Sequence, residues 1–259
     1  MITSAQNSKL KLARALMGRP KERREAGAFI AEGVRLVEEA VNTSWPIRFV
    51  LYDETLSQRG RSQVESLKSR GIEVEEVTPE LMKSFSETDS PQGILAVLEL
   101  ASLPIPDSPT FLLIPDQIRD PGNLGSLIRS ANAAGVDAVL IPPETTDPFA
   151  PKAVRAGMGA HFRMPIHSMS WDAIVGKLAG LQVYLADMDG QSCWETDLRQ
   201  PLALILGSEA EGASESARKV ASHKISIPMA GGTESLNAAV AGSVLMFEVM
   251  RQRSVISNQ

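Results

Sequence analysis

The sequence is poor in the residues that build disulfide frameworks, metal centres and membrane spans. Its 259 residues include one cysteine, Cys193, and three histidines, so an internal disulfide is excluded and no zinc-type ligand spacing can be assembled. No apolar run approaches the roughly 18 residues of a membrane span, and residues 1–17 lack the apolar core of a signal peptide. We therefore expect a cytoplasmic protein with no metal and no membrane partner.

The composition is that of a folded protein with an acidic balance. Hydrophobic residues make up 43% and charged residues 22%, and the formal net charge is −5. This charge argues against non-specific binding of nucleic acid by the whole molecule. The first two dozen residues are nevertheless basic, because seven cations face only Glu22 there: Lys9, Lys11, Arg14, Arg19, Lys21, Arg23 and Arg24.

Two interpretations of this basic segment are open. A phosphate backbone selects such a cluster, which predicts RNA binding by Lys9, Lys11, Arg14, Arg23 and Arg24. Alternatively, the segment is a solvated amphipathic helix with a buried stripe formed by Leu10, Ala13, Leu16 and Met17.

The order of the segments predicts an α/β protein with two domains. Short β-rich runs alternate with helical segments over the first hundred residues, which is typical of layered α/β domains. Three prolines then fall within ASLPIPDSPT, a stretch that favours extended linker structure. We therefore predict a domain at 1–103, a linker at 104–110 and a second domain at 111–259.

The second domain repeats the alternation with more apolar strands. Near-continuous apolar runs are typical of parallel strands that are covered on both faces. Ligands of such sheets bind beyond the carboxyl ends of the strands. Five runs are predicted as strands: Phe111–Pro115, Asp137–Pro142, Gln182–Met188, Leu202–Gly207 and Lys224–Met229.

Three loops follow these strands and carry candidate functional residues. DPGNLGSLIR has Asn123 and Arg129 around two glycines, and it matches neither the dinucleotide fingerprint nor the phosphate loop. GSEAEG places Glu209 between glycines, where a carboxylate can meet a ligand or simply favour the next helix N-terminus. In the third loop, Ser235 is predicted to cap a helix that is apolar almost all round, which indicates enclosure by the fold or by a second subunit.

Taken together, the three loops resemble the motifs of the SpoU-type (TrmH-like) RNA ribose 2′-O-methyltransferases, in the knotted SPOUT superfamily. The matching stretches are N-x-G-x-x-x-R at Asn123–Arg129, L-G-x-E-x-x-G at Leu206–Gly212, and I-P-M-x-G…S-L-N at Ile227–Asn237. The stretch KERREAGAFIAEGVRLVEEA also resembles the ribosomal-protein-like substrate-binding domain that precedes the catalytic domain in many members. Ala238 departs from the larger aliphatic residue common in the family, which affects packing more than chemistry.

The resemblance implies a parallel-sheet SPOUT domain with a deep trefoil knot, preceded by a smaller α/β substrate-binding domain. It implies S-adenosyl-L-methionine as methyl donor and a homodimer that forms through the catalytic domain. The expected substrate is structured RNA, with ribosomal RNA favoured by the large N-terminal domain. Transfer RNA, or a non-catalytic role in RNA binding and ribosome assembly, are the alternatives.

The site residues carried over by the resemblance fall into two sets. The donor is expected to bind at Leu206, Gly207, Ile227, Met229 and Leu236, with Ala186 as a further wall. The catalytic set is Asn123, Arg129, Glu209, Ser235 and Asn237. Two roles remain open for Arg129: it accepts the ribose proton, or it clamps a phosphate and stabilises the developing alkoxide, the role that suits a guanidinium.

Overall fold

The computed structural model describes residues 1–86, 92–208, 212–231 and 235–254, which form two compact units. The first unit consists of Met1–Ala101 and Phe149–Phe162, and the second of Ser102–Pro148 and Arg163–Gln259. The sequence-based division at 104–110 places residues 149–162 in the second domain, so the two groupings differ for this segment. Aromatic packing is the physical reason, because the rings of Phe149 and Phe162 lie 5.0 and 6.3 Å from that of Phe29.

Helices and strands alternate along the described chain. The helices are α1 (Ser8–Met17), α2 (Pro20–Ala26), α3 (Val34–Asn42), α4 (Gln58–Ser69), α5 (Pro79–Lys83), α6 (Pro121–Ala133), α7 (Pro151–Gly157), α8 (Trp171–Lys177), α9 (Glu215–Val220) and α10 (Ala238–Ser254). The strands are β1 (Ala28–Glu32), β2 (Ile47–Tyr52), β3 (Val74–Glu76), β4 (Ile94–Glu99), β5 (Phe111–Pro115), β6 (Ala138–Ile141), β7 (Ile166–Ser168), β8 (Gln182–Ser192), β9 (Leu202–Leu206) and β10 (His223–Ser226).

The first unit is built on a four-stranded sheet in the order β1-β4-β2-β3. Strand β4 runs antiparallel to β1 and β2, and β3 is parallel to β2. Helix α1 begins at the Asn7 cap and buries Leu10, Ala13 and Leu16, three residues of the predicted stripe, in the core. Each fully buried leucine contributes about 1.5–3 kcal/mol relative to an exposed one.

The second unit contains a six-stranded sheet in the order β10-β8-β9-β5-β6-β7, in which every neighbouring pair is parallel. All five residues of β5 and of β9 are buried, as expected for central strands covered on both faces. The predicted α/β class with a parallel sheet is therefore confirmed. The knot implied by the resemblance stays a prediction.

Strand β8 leaves its ladder for five residues, and this excursion shapes the functional region. Leu185 pairs with Lys224, but the next residue of β10, Ile225, pairs with Gln191. Residues 186–190 therefore protrude from the sheet. The chain returns at Gly190, where an added Cβ would lie 2.5 Å from the backbone nitrogen of Ile225, so only glycine fits there without displacing backbone.

Candidate active site

A cavity of about 690 Å³ lies at the carboxyl ends of β9 and β10, beside the excursion within β8, and reaches α10. All six residues predicted to bind the donor line it: Ala186, Leu206, Gly207, Ile227, Met229 and Leu236. Ser235, predicted as catalytic, lines it too. The remaining lining residues were not predicted: Asp187, Met188, Ser208, Gly212, Ala213, Arg218, Ile225, Ser226, Pro228, Ala238, Ala241 and Leu245.

The unpredicted lining residues reach the cavity for identifiable reasons. Asp187 and Met188 belong to the excursion of β8, whose register shift the sequence pattern does not reveal. Ala238, Ala241 and Leu245 lie on one face of α10 at helical spacing. That spacing was visible in the sequence, but a helix that is apolar on all sides does not indicate which side meets a ligand.

The loop after β9 closes tightly on itself. The backbone nitrogen of Ser208 donates to the Gly212 carbonyl at 2.9 Å, and that of Gly212 donates to the Ser208 carbonyl at 3.1 Å. Gly212 has φ of 71°, in the left-handed region that favours glycine. A Cβ at Gly207 would lie 2.5 Å from the Gly212 carbonyl carbon, so only glycine allows the two backbone segments to lie this close. Glu209 lies outside the described residues.

Asp116, which was not selected from the sequence, fastens both ends of this loop. It follows β5 directly, and its backbone nitrogen donates to the Leu206 carbonyl at 2.8 Å. Its Oδ2 accepts from the Ser214 backbone nitrogen at 2.6 Å, and the residue is fully buried. Burial raises the pKa of this carboxyl. A polar residue immediately after an apolar strand was the available sequence signal.

Two of the predicted catalytic residues contact each other. The Asn237 Nδ2 donates to the Asn123 Oδ1 at 3.1 Å and joins the beginnings of α6 and α10. The Asn237 Oδ1 accepts from the backbone nitrogens of Ala239 and Val240, which makes Asn237 the cap of α10. Ser235 was expected to be that cap. It is exposed instead and lines the cavity, so the capping prediction was wrong by two residues.

Arg129 is exposed on α6 and is not among the residues that line the cavity. Six positions separate it from Asn123, which places the two side chains about 120° apart around the helix axis. In the described residues, the structure therefore brings Asn123 and Asn237 together and leaves Arg129 on a different face of α6.

The five cations predicted to bind RNA differ in accessibility. Arg23 is 2% exposed, and its Nη1 donates to the Leu16 carbonyl at 2.7 Å and to the Gly18 carbonyl at 3.0 Å. A guanidinium that satisfies carbonyls at the end of α1 is not presented to a phosphate, which corrects the expectation for Arg23. Lys9 is ion-paired with Glu73 and Glu75.

The other three predicted cations, Lys11, Arg14 and Arg24, are exposed. The Arg14 guanidinium lies over the Phe85 ring, 5.3 Å from its centroid. Across the described parts of the chain, we find no group of three or more His, Cys, Asp or Glu residues placed to hold a metal ion. No described helix is long and apolar enough to cross a membrane.

The sequence of this chain matches two protein families and is similar to proteins of known activity. The family model of the SpoU rRNA methylases matches residues 110–247, and that of the MRM3-like substrate-binding domain matches residues 7–96. The chain is 33% identical over 252 residues to the 23S rRNA (guanosine(2553)-2′-O)-methyltransferase RlmP of Bacillus subtilis, covering 96% of this chain and 98% of that protein.

Similar proteins also occur in Streptomyces viridochromogenes. The 23S rRNA (uridine(2479)-2′-O)-methyltransferase of that organism is 32% identical over 267 residues, covering 96% of this chain and 92% of that protein. The crystal structure of its SpoU methyltransferase AviRb in complex with the cofactor AdoMet superimposes with a TM-score of 0.85 at 31% identity. That match covers 96% of this chain and 99% of the other.

Proposed function

Because this chain belongs to the SpoU rRNA methylase family, we propose that it transfers the methyl group of S-adenosyl-L-methionine to a ribose 2′-hydroxyl of ribosomal RNA. The observation that carries the proposal is the cavity of about 690 Å³, which gathers the excursion of β8, the loops after β9 and β10, and one face of α10. The 23S rRNA methyltransferase names of the relatives and the AdoMet complex of AviRb support the reaction and the donor.

The residues of the cavity fit this donor. Pockets for ligands of this size measure about 300–1,000 Å³ and combine apolar walls with a few polar groups. Leu206, Ile227 and Leu236 supply apolar side chains for the faces of an adenine ring, and the backbone of their loops offers donors and acceptors for its edge. Gly207 lets the loop after β9 approach closely. When bound, the donor supplies an electrophilic methyl group on a sulfonium.

Transfer to a ribose requires the hydroxyl to be held in line with that methyl group and to lose its proton. In the proposed arrangement, the linked amides of Asn123 and Asn237 orient the ribose, and Ser235 acts from the wall of the cavity. For Glu209, which lies outside the described residues, the proposal keeps the role that the resemblance implies, orienting the motif loops. Arg129 acts on the target nucleotide as clamp or proton acceptor. Because it lies outside the lining residues, the proposal requires bound RNA or a second subunit to bring it to the donor.

The proposal assigns substrate binding to the first domain. Residues 1–103 hold the RNA, 104–110 form the linker, and 111–259 form the methyltransferase domain. The family match at residues 7–96 supports this assignment. Lys11, Arg14 and Arg24 are the exposed cations that would contact phosphates, whereas Lys9 contributes only if RNA displaces its two carboxylate partners.

A homodimer through the catalytic domain is part of the same proposal. On α10, Val240 is 49% and Phe247 41% exposed, and half-buried Val244 lies between them at helical spacing. Such a stripe suits burial against a second copy. Phe247→Glu should give a monomer in sedimentation velocity, while Val175→Glu, a change at an equally exposed valine on α8, should not. If Phe247→Glu and Val175→Glu both remained dimeric, the stripe on α10 would not be the dimer interface.

A cytoplasmic location is also proposed, on the ground that the relative in Bacillus subtilis is named for its action on 23S rRNA.

The decisive experiment maps ribose methylation in total RNA from cells with and without the gene. We expect one site in ribosomal RNA to lose its 2′-O-methyl group in the deletion and to regain it with the wild-type gene but not with Asn237→Ala. If transfer RNA lost a 2′-O-methyl group instead, transfer RNA and not ribosomal RNA would be the substrate. No change in any RNA, with RNA binding retained by the purified chain, would favour the non-catalytic alternative.

A further inference from the structure

The wall of the cavity carries two charged side chains among its described lining residues. Asp187 comes from the excursion of β8, and Arg218 comes from α9. Neither belongs to the three sequence motifs. The other described lining residues are apolar side chains, glycines and serines, so Asp187 and Arg218 are the two charged groups of the described wall.

The Arg218 guanidinium is held against the cavity by two contacts. Its Nε donates to the Ala213 carbonyl at 3.1 Å, and its Nη1 lies 3.6 Å from the Asp187 Oδ2. Its Nη2 lies near Gly212, 3.2 Å from the position a Cβ would take there. The side chain is 49% exposed, so the guanidinium lies partly in solvent at the cavity edge.

The charges around Asp187 do not balance. Its Oδ2 also accepts from the Lys224 Nζ at 2.9 Å, so two cations share one carboxylate. The Lys224 hydrogen bond lowers the pKa of Asp187, which keeps this carboxylate ionised at neutral pH. The described cluster of Asp187, Arg218 and Lys224 therefore carries a net charge of one positive unit, which favours an anion beside it. Glu209 and Glu211 lie outside the described residues and are left unchanged in the experiment below.

We propose that the Arg218 guanidinium binds the carboxylate of the methyl donor. This inference rests on the proposed function. S-adenosylmethionine has one anionic group, the carboxylate of its methionine part, and two cationic centres, the ammonium and the sulfonium. The planar guanidinium is fixed through Nε and faces Asp187 with Nη1, and because each terminal nitrogen carries two N–H groups, N–H groups remain for a second carboxylate. Arg218 thus selects donors that retain the amino-acid carboxylate.

Calorimetric titration of the full chain with two ligands tests this assignment. One ligand is S-adenosylmethionine and the other is its decarboxylated form, which lacks only the carboxylate. The wild type should prefer the carboxylated ligand by about 5- to 30-fold, the range for one charge-assisted contact at a half-exposed side chain. Arg218→Gln should bring the two affinities to within about twofold by weakening only the carboxylated ligand. Lys219→Gln is the matched control, because Lys219 is the next cation on α9 and does not line the cavity.

The outcomes are distinguishable. Support requires that Arg218→Gln lose the preference and that Lys219→Gln keep it. A preference retained in Arg218→Gln overturns the assignment, as does an equal weakening of both ligands, which would indicate support of the 212–213 backbone. Weaker RNA binding with an unchanged donor preference would identify a phosphate as the anion and also overturn it. A wild type that binds neither ligand overturns the proposed function itself.

Discussion

Replacing Gly207 with alanine is expected to lower both the free energy of unfolding and the affinity for the methyl donor. The added Cβ would lie 2.5 Å from the Gly212 carbonyl carbon and 2.6 Å from the Ala213 backbone nitrogen. Carbon contacts are comfortable at about 3.5–4.0 Å, so the two segments must separate by about 1 Å. Overpacking of this kind costs about 1–3 kcal/mol. The backbone cannot move freely, because two hydrogen bonds close the loop between Ser208 and Gly212.

The same displacement should reach the donor, since both segments line its proposed cavity. Affinity measured by calorimetry with S-adenosylmethionine should fall about tenfold, which corresponds to roughly 1.4 kcal/mol. Gly176→Ala is the control: Gly176 lies in the last turn of α8 and nothing lies within 4 Å of its added Cβ, so this change should leave both stability and donor affinity without a loss. If Gly207→Ala matched the wild type in urea denaturation and in donor affinity, the close approach of Gly207 to the backbone at 212–213 would contribute to neither property.

Three further predictions concern other parts of the molecule. Arg129→Ala should lower turnover by about a hundred- to ten-thousandfold with nearly unchanged donor affinity. Rescue of turnover by Arg129→Lys would favour charge stabilisation over geometry-dependent clamping. A loss of stability with normal turnover would contradict the catalytic role. Neutralising Lys11, Arg14 and Arg24 together should weaken RNA binding and flatten its salt dependence, whereas an unchanged slope in filter-binding titrations would assign RNA to another face. Because burial raises the pKa of Asp116, the folded protein holds this proton more tightly than the unfolded chain does. The stability of the wild type relative to Asp116→Asn should therefore fall as pH rises above the ordinary pKa of 3.8. A stability difference that does not change with pH in urea denaturation would refute this.

The sequence predicts regular elements well where local pattern and burial agree. The apolar runs that became β5, β6 and β9 are bounded by turn residues, so strand type and approximate ends follow from the pattern. Helix α1 follows from its buried stripe. The donor residues were located by the second and third motifs and by the end of the predicted strand Gln182–Met188, and the structure brings these stretches together at one cavity.

Features that depend on contacts between distant segments could not be predicted. The charge pattern assigned Arg23 to RNA binding. In the structure its guanidinium donates instead to carbonyls at the end of α1, a contact that depends on the backbone path between α1 and α2. The excursion of β8 depends on its register with β10 and therefore on a strand that comes later in the chain. Asp116 acquires its position through Ser214, far away in sequence. Apolar periodicity contains no signal for any of these contacts.

The membership of Phe149–Phe162 in the first unit has a consequence for recombination and protein engineering. The chain passes between the two units at three places, 101/102, 148/149 and 162/163, rather than at one linker. A protease that cuts within 104–110 would therefore not release an intact first unit, because residues 149–162 would stay on the C-terminal fragment, covalently attached to the second unit. A chimera made by a single crossover in that linker would inherit Phe29 from one parent and two of its ring partners, Phe149 and Phe162, from the other. A working transplant of the first unit must move residues 1–101 and 149–162 as one cassette with two insertion points.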